Sequence, residues 1–385
     1  MKNKNLMFVI IAIVVSCFYI FFANKYVTRN EVEDTILDDY SVYNARVVEI
    51  VEIIEDDYNL GYETIVGKTI NFKAEVLNGD MKGETVDAKQ EISPFFAIQP
   101  EEISLGDKIL ISQSYNSDGI DNSQFDMLEY VRTDVIVFLV LIFFAGLILF
   151  GKSKGILTII SLSLTCLSIF YVFIPSILNG NNIYFWAIQI CIFIIVMTLM
   201  IANGTNLKSL SAGLGCVGGI LTAGIITLIL NSALRLSGMV DEKSVFLQML
   251  NPDNPIDLKA IIFAAIIIGA VGAIMDVAIS IASALSEIKL QNPDISFKKL
   301  YISGINIGKD ILGTMTNTLI LAYIGSALST VLLLIANTGS MTYLVNTESI
   351  IIEVIQSIVG SFGILLTLPL TSLVSAFLYT RERKN

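Results

Sequence analysis

One long apolar stretch of the sequence carries small and polar residues at helical spacing. Residues 269–287 read GAVGAIMDVAISIASALSE. Residues three or four positions apart share one face of a helix. The residues on this face are Gly269, Gly272, Asp276, Ser280, Ser283 and Glu287. An acid inside an apolar segment of membrane length indicates a functional site, because a charge in hydrocarbon costs several kcal/mol. Asp276 is therefore the first candidate.

The next two apolar stretches carry polar residues with the same periodicity. In the first of them Asp310, Thr314 and Asn317 share a face, flanked by Thr316 and Thr318. The second carries a stripe of polar and small residues, namely Glu353, Gln356, Gly360, Gly363, Thr367 and Thr371. At a helical rise of about 1.5 Å per residue, Asp276, Asn317 and Thr367 fall at similar depths in three neighbouring helices. Three such stripes are typical of helices that enclose a hydrated cavity.

These residues predict an ion or solute path in which Asp276 binds a cation or a proton. The path is predicted to be lined by hydroxyl, amide and carboxyl groups, those of Asp276, Ser280, Ser283, Thr314, Thr316, Asn317, Thr318 and Thr367. Glu287, Lys309 and Asp310 are predicted to form its cytoplasmic mouth. In the structural alternative, Asp276 is a buried group that hydrogen-bonds to Asn317 or Thr314.

Proteolysis inside the membrane is a remote alternative. Intramembrane aspartyl proteases place one Asp on each of two neighbouring helices, close enough to share a proton. Asp276 and Asp310 are on neighbouring spans, but Asp310 is predicted at the cytoplasmic edge and Asp276 about 13 Å deeper. We therefore predict no catalytic residues.

The elements that position these residues are predicted to be transmembrane helices. The chain is 54% hydrophobic and has a mean hydropathy of +0.72, which is typical of a multi-pass membrane protein and not of a soluble one. About eight apolar spans are predicted, near residues 6–22, 134–150, 156–178, 183–202, 209–231, 258–285, 311–336 and 350–378. Two glycine pairs, Gly215 with Gly219 and Gly269 with Gly272, predict close helix packing.

Residues 30–133 are predicted to form a separate β-rich domain. Residues 30–134 hold 24 acidic and 7 basic side chains, which gives this segment most of the negative charge. Ile70 to Val76 alternate apolar and polar residues, and Asn78-Gly79-Asp80 supply a turn, so a hairpin is expected. Val47–Ile54 and Lys108–Ser112 are further candidate strands, which favours a small antiparallel sheet or barrel. Residues 1–29 would be an anchor and residues 134–385 a seven-helix membrane domain.

Charge and composition set the orientation and exclude several functions. Basic residues such as Lys152, Lys208, Lys298 and Arg381 occupy every second loop, so both termini are predicted to be cytoplasmic and residues 30–133 to lie outside. No basic patch for nucleic acid is present. With no His, no CxxC pair and no nucleotide-binding motif, we expect no metal, no cofactor and no enzyme activity.

Three segments resemble the YibE/F-like family. They are GAVGAIMDVAISIASALSEI at 269–288, SGINIGKDILGTMTNTLILAYIG at 303–325 and LPLTS at 368–372. The anchor, the outer region and the seven later spans resemble the longer, YibE-type members, although Lys309 stands where Arg is expected. The resemblance implies a protein of the bacterial cytoplasmic membrane and a shorter relative as a partner, and it implies no activity.

The sequence thus predicts a permease, channel or transporter component with a polar site among its last three helices. Its solute or ion is not predicted. An ion gradient or a partner would supply energy, and the chain would work with the shorter relative or as a homo-oligomer. The alternative is a membrane assembly or sensing protein that acts through its outer domain.

Overall fold

The chain is mostly helical and contains one small β-barrel. The computed structural model describes residues 2–29, 41–59, 64–93, 100–116, 119–240, 242–250, 255–338 and 340–381. Residues 30–40, where the predicted outer domain begins, lie outside the described residues. The chain divides into two compact units, residues 33–146 and the remainder.

Helices account for most of the described chain. Their bounds are α1 Lys2–Val27, α2 Thr133–Gly151, α3 Ser153–Ser168, α4 Ile174–Leu178, α5 Ile183–Asn203, α6 Leu207–Ala233, α7 Glu242–Met249, α8 Leu258–Gln291, α9 Phe297–Ser326, α10 Leu328–Thr338, α11 Met341–Leu344 and α12 Glu348–Arg381. A π-helical segment, Ile169–Phe173, joins α3 to α4.

Several of these helices suit a membrane by length and composition. Among the described residues, seven are long and apolar enough to cross one, and the number reaches eight if a bent pair counts as one span. The bent pair is α9 with α10, whose axes differ by 54°. The sequence predicted a single span over residues 311–336. Helices kink where Gly and Ser adjoin, and Gly325-Ser326 immediately precede this bend.

Five strands close into a barrel within the unit of residues 33–146. The strands are β1 Val42–Asn59, β2 Thr64–Val76, β3 Thr85–Ile92, β4 Lys108–Asn116 and β5 Gly119–Tyr130. They follow the order β1-β2-β3-β5-β4, and β1 pairs with β4 to close the barrel. The predicted hairpin is confirmed, because β2 and β3 pair on either side of a turn in which Gly79 and Gly83 have positive φ.

The barrel departs from the predicted antiparallel sheet at one pair of strands. β3 runs parallel to β5, a strand that the sequence analysis missed, and Lys89 aligns with Asp126. The Lys89 amine lies 3.0 Å from Glu91 and 3.6 Å from Asp126. Its pKa is raised because Glu91 accepts its hydrogen bond and Asp126 is nearby. The stabilisation that accompanies this raised pKa is present at neutral pH and is lost as the amine deprotonates at high pH.

We predict that Phe72→Ala destabilises the barrel. Phe72 is 1% exposed and packs with Ile109, Ile111 and Phe125 in the barrel core, so truncation should lower the free energy of unfolding by about 3–5 kcal/mol. Urea denaturation of a fragment of residues 33–132 measures this change. The control Val51→Ala, at a side chain 55% exposed, should change it by less than about 0.5 kcal/mol. Equal effects of the two substitutions would contradict the barrel core described here.

The other compact unit, residues 1–32 and 147–385, is called the membrane unit here. In it, α12 packs against α6, α8 and α9. Its contacts with α6 are made at glycines, since Gly215 faces Thr371 and Gly219 faces Thr367. On α9, a Cβ at Gly304 would come within 2.8 Å of the Ser372 Cβ. Small residues allow such close approach of helix backbones. The structure thus places the GxxxG pair of α6 at a helix contact.

We predict that Gly219→Ala destabilises the membrane unit. A Cβ at Gly219 would overlap the Thr367 hydroxyl and come within 3.0 Å of the Gly363 carbonyl oxygen, so the backbones must separate at a cost of about 1–3 kcal/mol. The thermal midpoint of the detergent-solubilised protein should fall. Gly313→Ala is the control, because nothing beyond its own stretch of helix lies within 4 Å of that Cβ position. If Gly219→Ala matches this control, the α6–α12 contact is wrong.

Candidate functional site

The polar face of α8 is exposed. Gly269, Gly272, Asp276, Ser280 and Glu287 are exposed and Ser283 is partly buried. The opposite face of the helix is buried and consists of apolar residues such as Ile274, Val277, Ala278 and Ile281. The helix therefore packs through its apolar face and presents its polar face outward.

The polar face of α9 is exposed as well. Asp310, Thr314, Asn317 and Thr318 are exposed, and Thr316 is partly buried. The Thr314 and Thr318 hydroxyls donate to the carbonyl oxygens of Ile311 and Thr314, each at 2.9 Å. Both hydroxyl oxygens keep lone pairs for a ligand.

Two contacts set the relative levels of α8 and α9. A Cβ at Gly269 would lie 2.6 Å from the Tyr323 hydroxyl oxygen, and one at Gly304 would lie 2.9 Å from the Leu285 Cδ1. Measured from the Gly304–Leu285 contact, Asp276 lies about 13 Å along α8 and Thr314 about 15 Å along α9. Asp276 is thus level with Thr314, and Asn317 lies about one turn further along α9.

Asp310 lies closer to the level of Asp276 than the sequence predicted. It is about 9 Å from the Gly304–Leu285 contact, so its axial offset from Asp276 is only about one helical turn. The reason is that α9 begins at Phe297, capped by Ser296, whose side chain accepts from the Lys299 N–H. The helix continues through polar residues before the apolar span, so Lys309 and Asp310 lie well inside it. Glu287 remains near an end, four residues before Gln291.

The structural alternative for Asp276 required a buried, hydrogen-bonded carboxyl group. Asp276 is instead exposed, and none of the described residues donates a hydrogen bond to it. Neither Asn317 nor Thr314 is its partner. The single chain therefore offers Asp276 no hydrogen-bond donor among the described residues.

Thr367 does not join the polar faces of α8 and α9. It is fully buried, and its hydroxyl donates to the Gly363 carbonyl oxygen at 2.7 Å while facing Gly219 of α6. Further toward the amino end of the same stripe, Gly360 faces Leu319 of α9. Because helices cross at an angle, one face of α12 meets α9 in its first half and α6 in its second.

Glu353 is a residue whose importance the sequence analysis missed. Its side chain is partly buried, and its Oε2 atom is buried without a hydrogen-bond donor among the described residues. Ser326 is a hydrogen-bonding neighbour of the carboxyl group, and Tyr323 interacts with it electrostatically. The sequence did contain a signal for Glu353, because it is an acidic residue inside the last apolar stretch.

The chemistry open to these groups is ligation by oxygen. In the described part of the chain, no group of three or more His, Cys, Asp or Glu residues could hold a metal ion. The exposed faces of α8 and α9 offer carboxylate, hydroxyl and amide oxygens, which suit a proton, a monovalent cation or a small polar solute.

One comparison with known proteins gives a match. The family model described as YibE/F-like protein matches residues 139–381. The match begins within α2 and runs to the end of α12, so the barrel lies outside it. No curated protein and no solved structure matches the chain.

Proposed function

The chain belongs to the YibE/F-like family, and on that premise we propose that it is a permease, channel or transporter component of the bacterial cytoplasmic membrane. The long apolar helices support a membrane location. The transport role is inferred from the side chains of α8 and α9 and extends beyond family membership. We further propose that the chain itself has no enzyme activity.

The observation that carries this proposal is the α8–α9 polar face, defined as Gly272, Asp276, Ser280, Thr314, Asn317 and Thr318. All six residues are exposed on helices whose other faces are apolar. Hydrocarbon would leave the Asp276 carboxylate and the Asn317 amide without partners, which costs several kcal/mol. Water in a path across the membrane would solvate both groups.

We propose that another subunit completes this path. One chain leaves the α8–α9 polar face open on one side, so a second wall is needed to keep lipid from it. Gly272 and Ser280 are small residues, which permits close approach of a partner helix. A second copy or the shorter YibE/F-like relative would supply that wall.

Eight spans are proposed, with α9 and α10 counted as one broken span and α7 and α11 too short to cross. An even number places both termini on the same side of the membrane. The basic residues near Lys152, Lys208 and Lys298 assign that side to the cytoplasm. The barrel then lies outside.

We predict that Asp276→Asn abolishes ion movement by the purified protein in lipid vesicles. The substitution replaces the charged carboxylate that is the proposed ion ligand by a neutral amide of the same size. Flux of H⁺, Na⁺ and K⁺, tested one at a time with ion-sensitive dyes, measures the effect. Asp257→Asn is the control at the N-cap of the same helix, because Asn also caps a helix and Asp257 accepts from the Lys259 and Ala260 N–H groups.

Two outcomes would contradict the role given to Asp276. One is an Asp276→Asn protein that moves every ion that the parent moves. The other is a parent that moves none of the three ions, either alone or reconstituted with the shorter relative, which would favour the assembly or sensing alternative.

We predict that labelling distinguishes the two sides of the membrane. In a chain whose native cysteines are replaced, Leu105→Cys in the barrel unit should react with an impermeant thiol reagent added to intact cells. Lys298→Cys, in the first turn of α9, should react only after permeabilisation. Both side chains are exposed, so burial does not limit either reaction. The reverse pattern would invert the proposed orientation.

A further inference from the structure

The segment between α6 and α7 packs against the ends of two membrane-length helices. Leu236 is buried in one hydrophobic cluster with Ile262 of α8 and Ile352 of α12. Val240 packs against the same cluster. Ile262 and Ile352 each come four residues after the first residue of their helix. At about 1.5 Å per residue, the near edge of the cluster therefore lies about 6 Å from the first residues of both helices.

Hydrogen bonds hold the same segment to α12. The Glu348 carboxylate accepts from the Ser237 N–H at 2.7 Å, from the Ser237 hydroxyl at 2.8 Å and from the Gly238 N–H at 2.6 Å. Gly238 has a φ of +88° and lies so close to α8 that a Cβ would come within 2.5 Å of the Leu258 Cβ. Glu348 and Leu258 are the first residues of α12 and α8, which are both candidate membrane spans. The segment is thus fixed at the level where two spans begin.

α7 follows this segment and is tethered at both of its ends. Glu242, its first residue, comes four residues after Gly238, and an extended chain covers at most about 14 Å over that distance. Met249, its last residue, precedes Leu258 by nine residues. With eight residues, α7 is about 12 Å long, against a hydrocarbon thickness of about 30 Å. It therefore lies beside the ends of the spans and does not cross the membrane.

The apolar side chains of α7 point away from the protein. Ser244 is buried and identifies the face that packs on the membrane unit. Val245, Phe246, Met249 and Leu250 lie on the opposite side, and Phe246 and Met249 are 72% and 66% exposed. An exposed apolar patch on so short a helix indicates a contact with lipid or with another protein.

The basic residues around α7 favour lipid. Arg235, Lys243 and Lys259 are exposed, and none of them forms an ion pair with a carboxylate of the described residues. Arg235 follows the end of α6 by two residues and Lys259 lies in the first turn of α8, so both lie where spans end. Phospholipids place negatively charged phosphates at that level, directly above their acyl chains. Apolar and cationic side chains side by side match these two layers.

We propose that α7 is an interfacial helix that binds phospholipid. Its apolar side chains enter the edge of the acyl-chain region, and the three basic side chains lie among the phosphates. The connection from α6 to α8 is then part of the lipid-facing surface and not a loop in water. Interfacial binding requires a membrane around the unit, but it requires neither the transport role nor the proposed orientation.

Spin labels on the full-length protein, in vesicles of phosphatidylglycerol and phosphatidylcholine, test this assignment. In a chain whose native cysteines are replaced, nitroxides are attached at Phe246→Cys, at Ile229→Cys on α6 and at Leu105→Cys in the barrel unit. Power saturation measures their collisions with oxygen, which concentrates in lipid, and with a water-soluble nickel complex. The native side chains are 72%, 61% and 65% exposed, so burial does not distinguish the three sites. The ratio of oxygen to nickel collisions at residue 246 should approach that at residue 229 and exceed that at residue 105.

Three outcomes would overturn the proposal. A ratio at residue 246 equal to that at residue 105 would place α7 in water. Low collision rates with both reagents would show that a second copy or a partner subunit covers the helix. A label at Lys243→Cys that a nickel-chelating lipid relaxes no more than the label at residue 105 would separate the basic residues from the headgroups. Met249→Cys repeats the first measurement, so a local disturbance at residue 246 does not decide the result.

Discussion

The contact between α6 and α12 determines which faces the other membrane helices use for packing. With Gly215 and Gly219 opposite Thr371 and Thr367, the two helices approach closely. The rest of α12 then offers its sides to α8 and α9, which dock through their apolar faces. Their polar faces turn outward as a consequence. The exposure of Asp276 is therefore a result of packing elsewhere in the unit, since the apolar face of α8 is already occupied.

Periodicity in the sequence predicted much of the helical architecture. Apolar length located the long helices, and alternation located the β2–β3 hairpin. The pattern could not identify neighbours: the stripe on α12 is real, yet Thr367 meets α6 while Gly360 meets α9. Spacing defines a face of one helix, whereas crossing angles decide what that face contacts. The parallel β3–β5 pair escaped for a similar reason, because it joins strands that are distant in sequence.

The two intramembrane acids show why burial has to be read together with hydrogen bonding. Asp276 is exposed and has no hydrogen-bond partner among the described residues, so the surroundings of the protein must solvate its carboxylate. Glu353 is partly buried, so the free-energy cost of its unpaired Oε2 atom lowers the stability of the fold. An external wall can satisfy the first residue. Only a change at the carboxyl group or in its immediate neighbours can satisfy the second.

The lengths of α8 and α12 have a consequence for the bilayer. Each has 34 residues, or about 51 Å, against a hydrocarbon thickness of about 30 Å. The excess requires tilt or protrusion beyond the hydrocarbon. In the proposed orientation, the end of α8 and the start of α9 project as a hairpin that carries Lys289, Lys298 and Lys299. Attraction of these lysines to anionic headgroups would anchor the hairpin and thereby set the depth of Asp276.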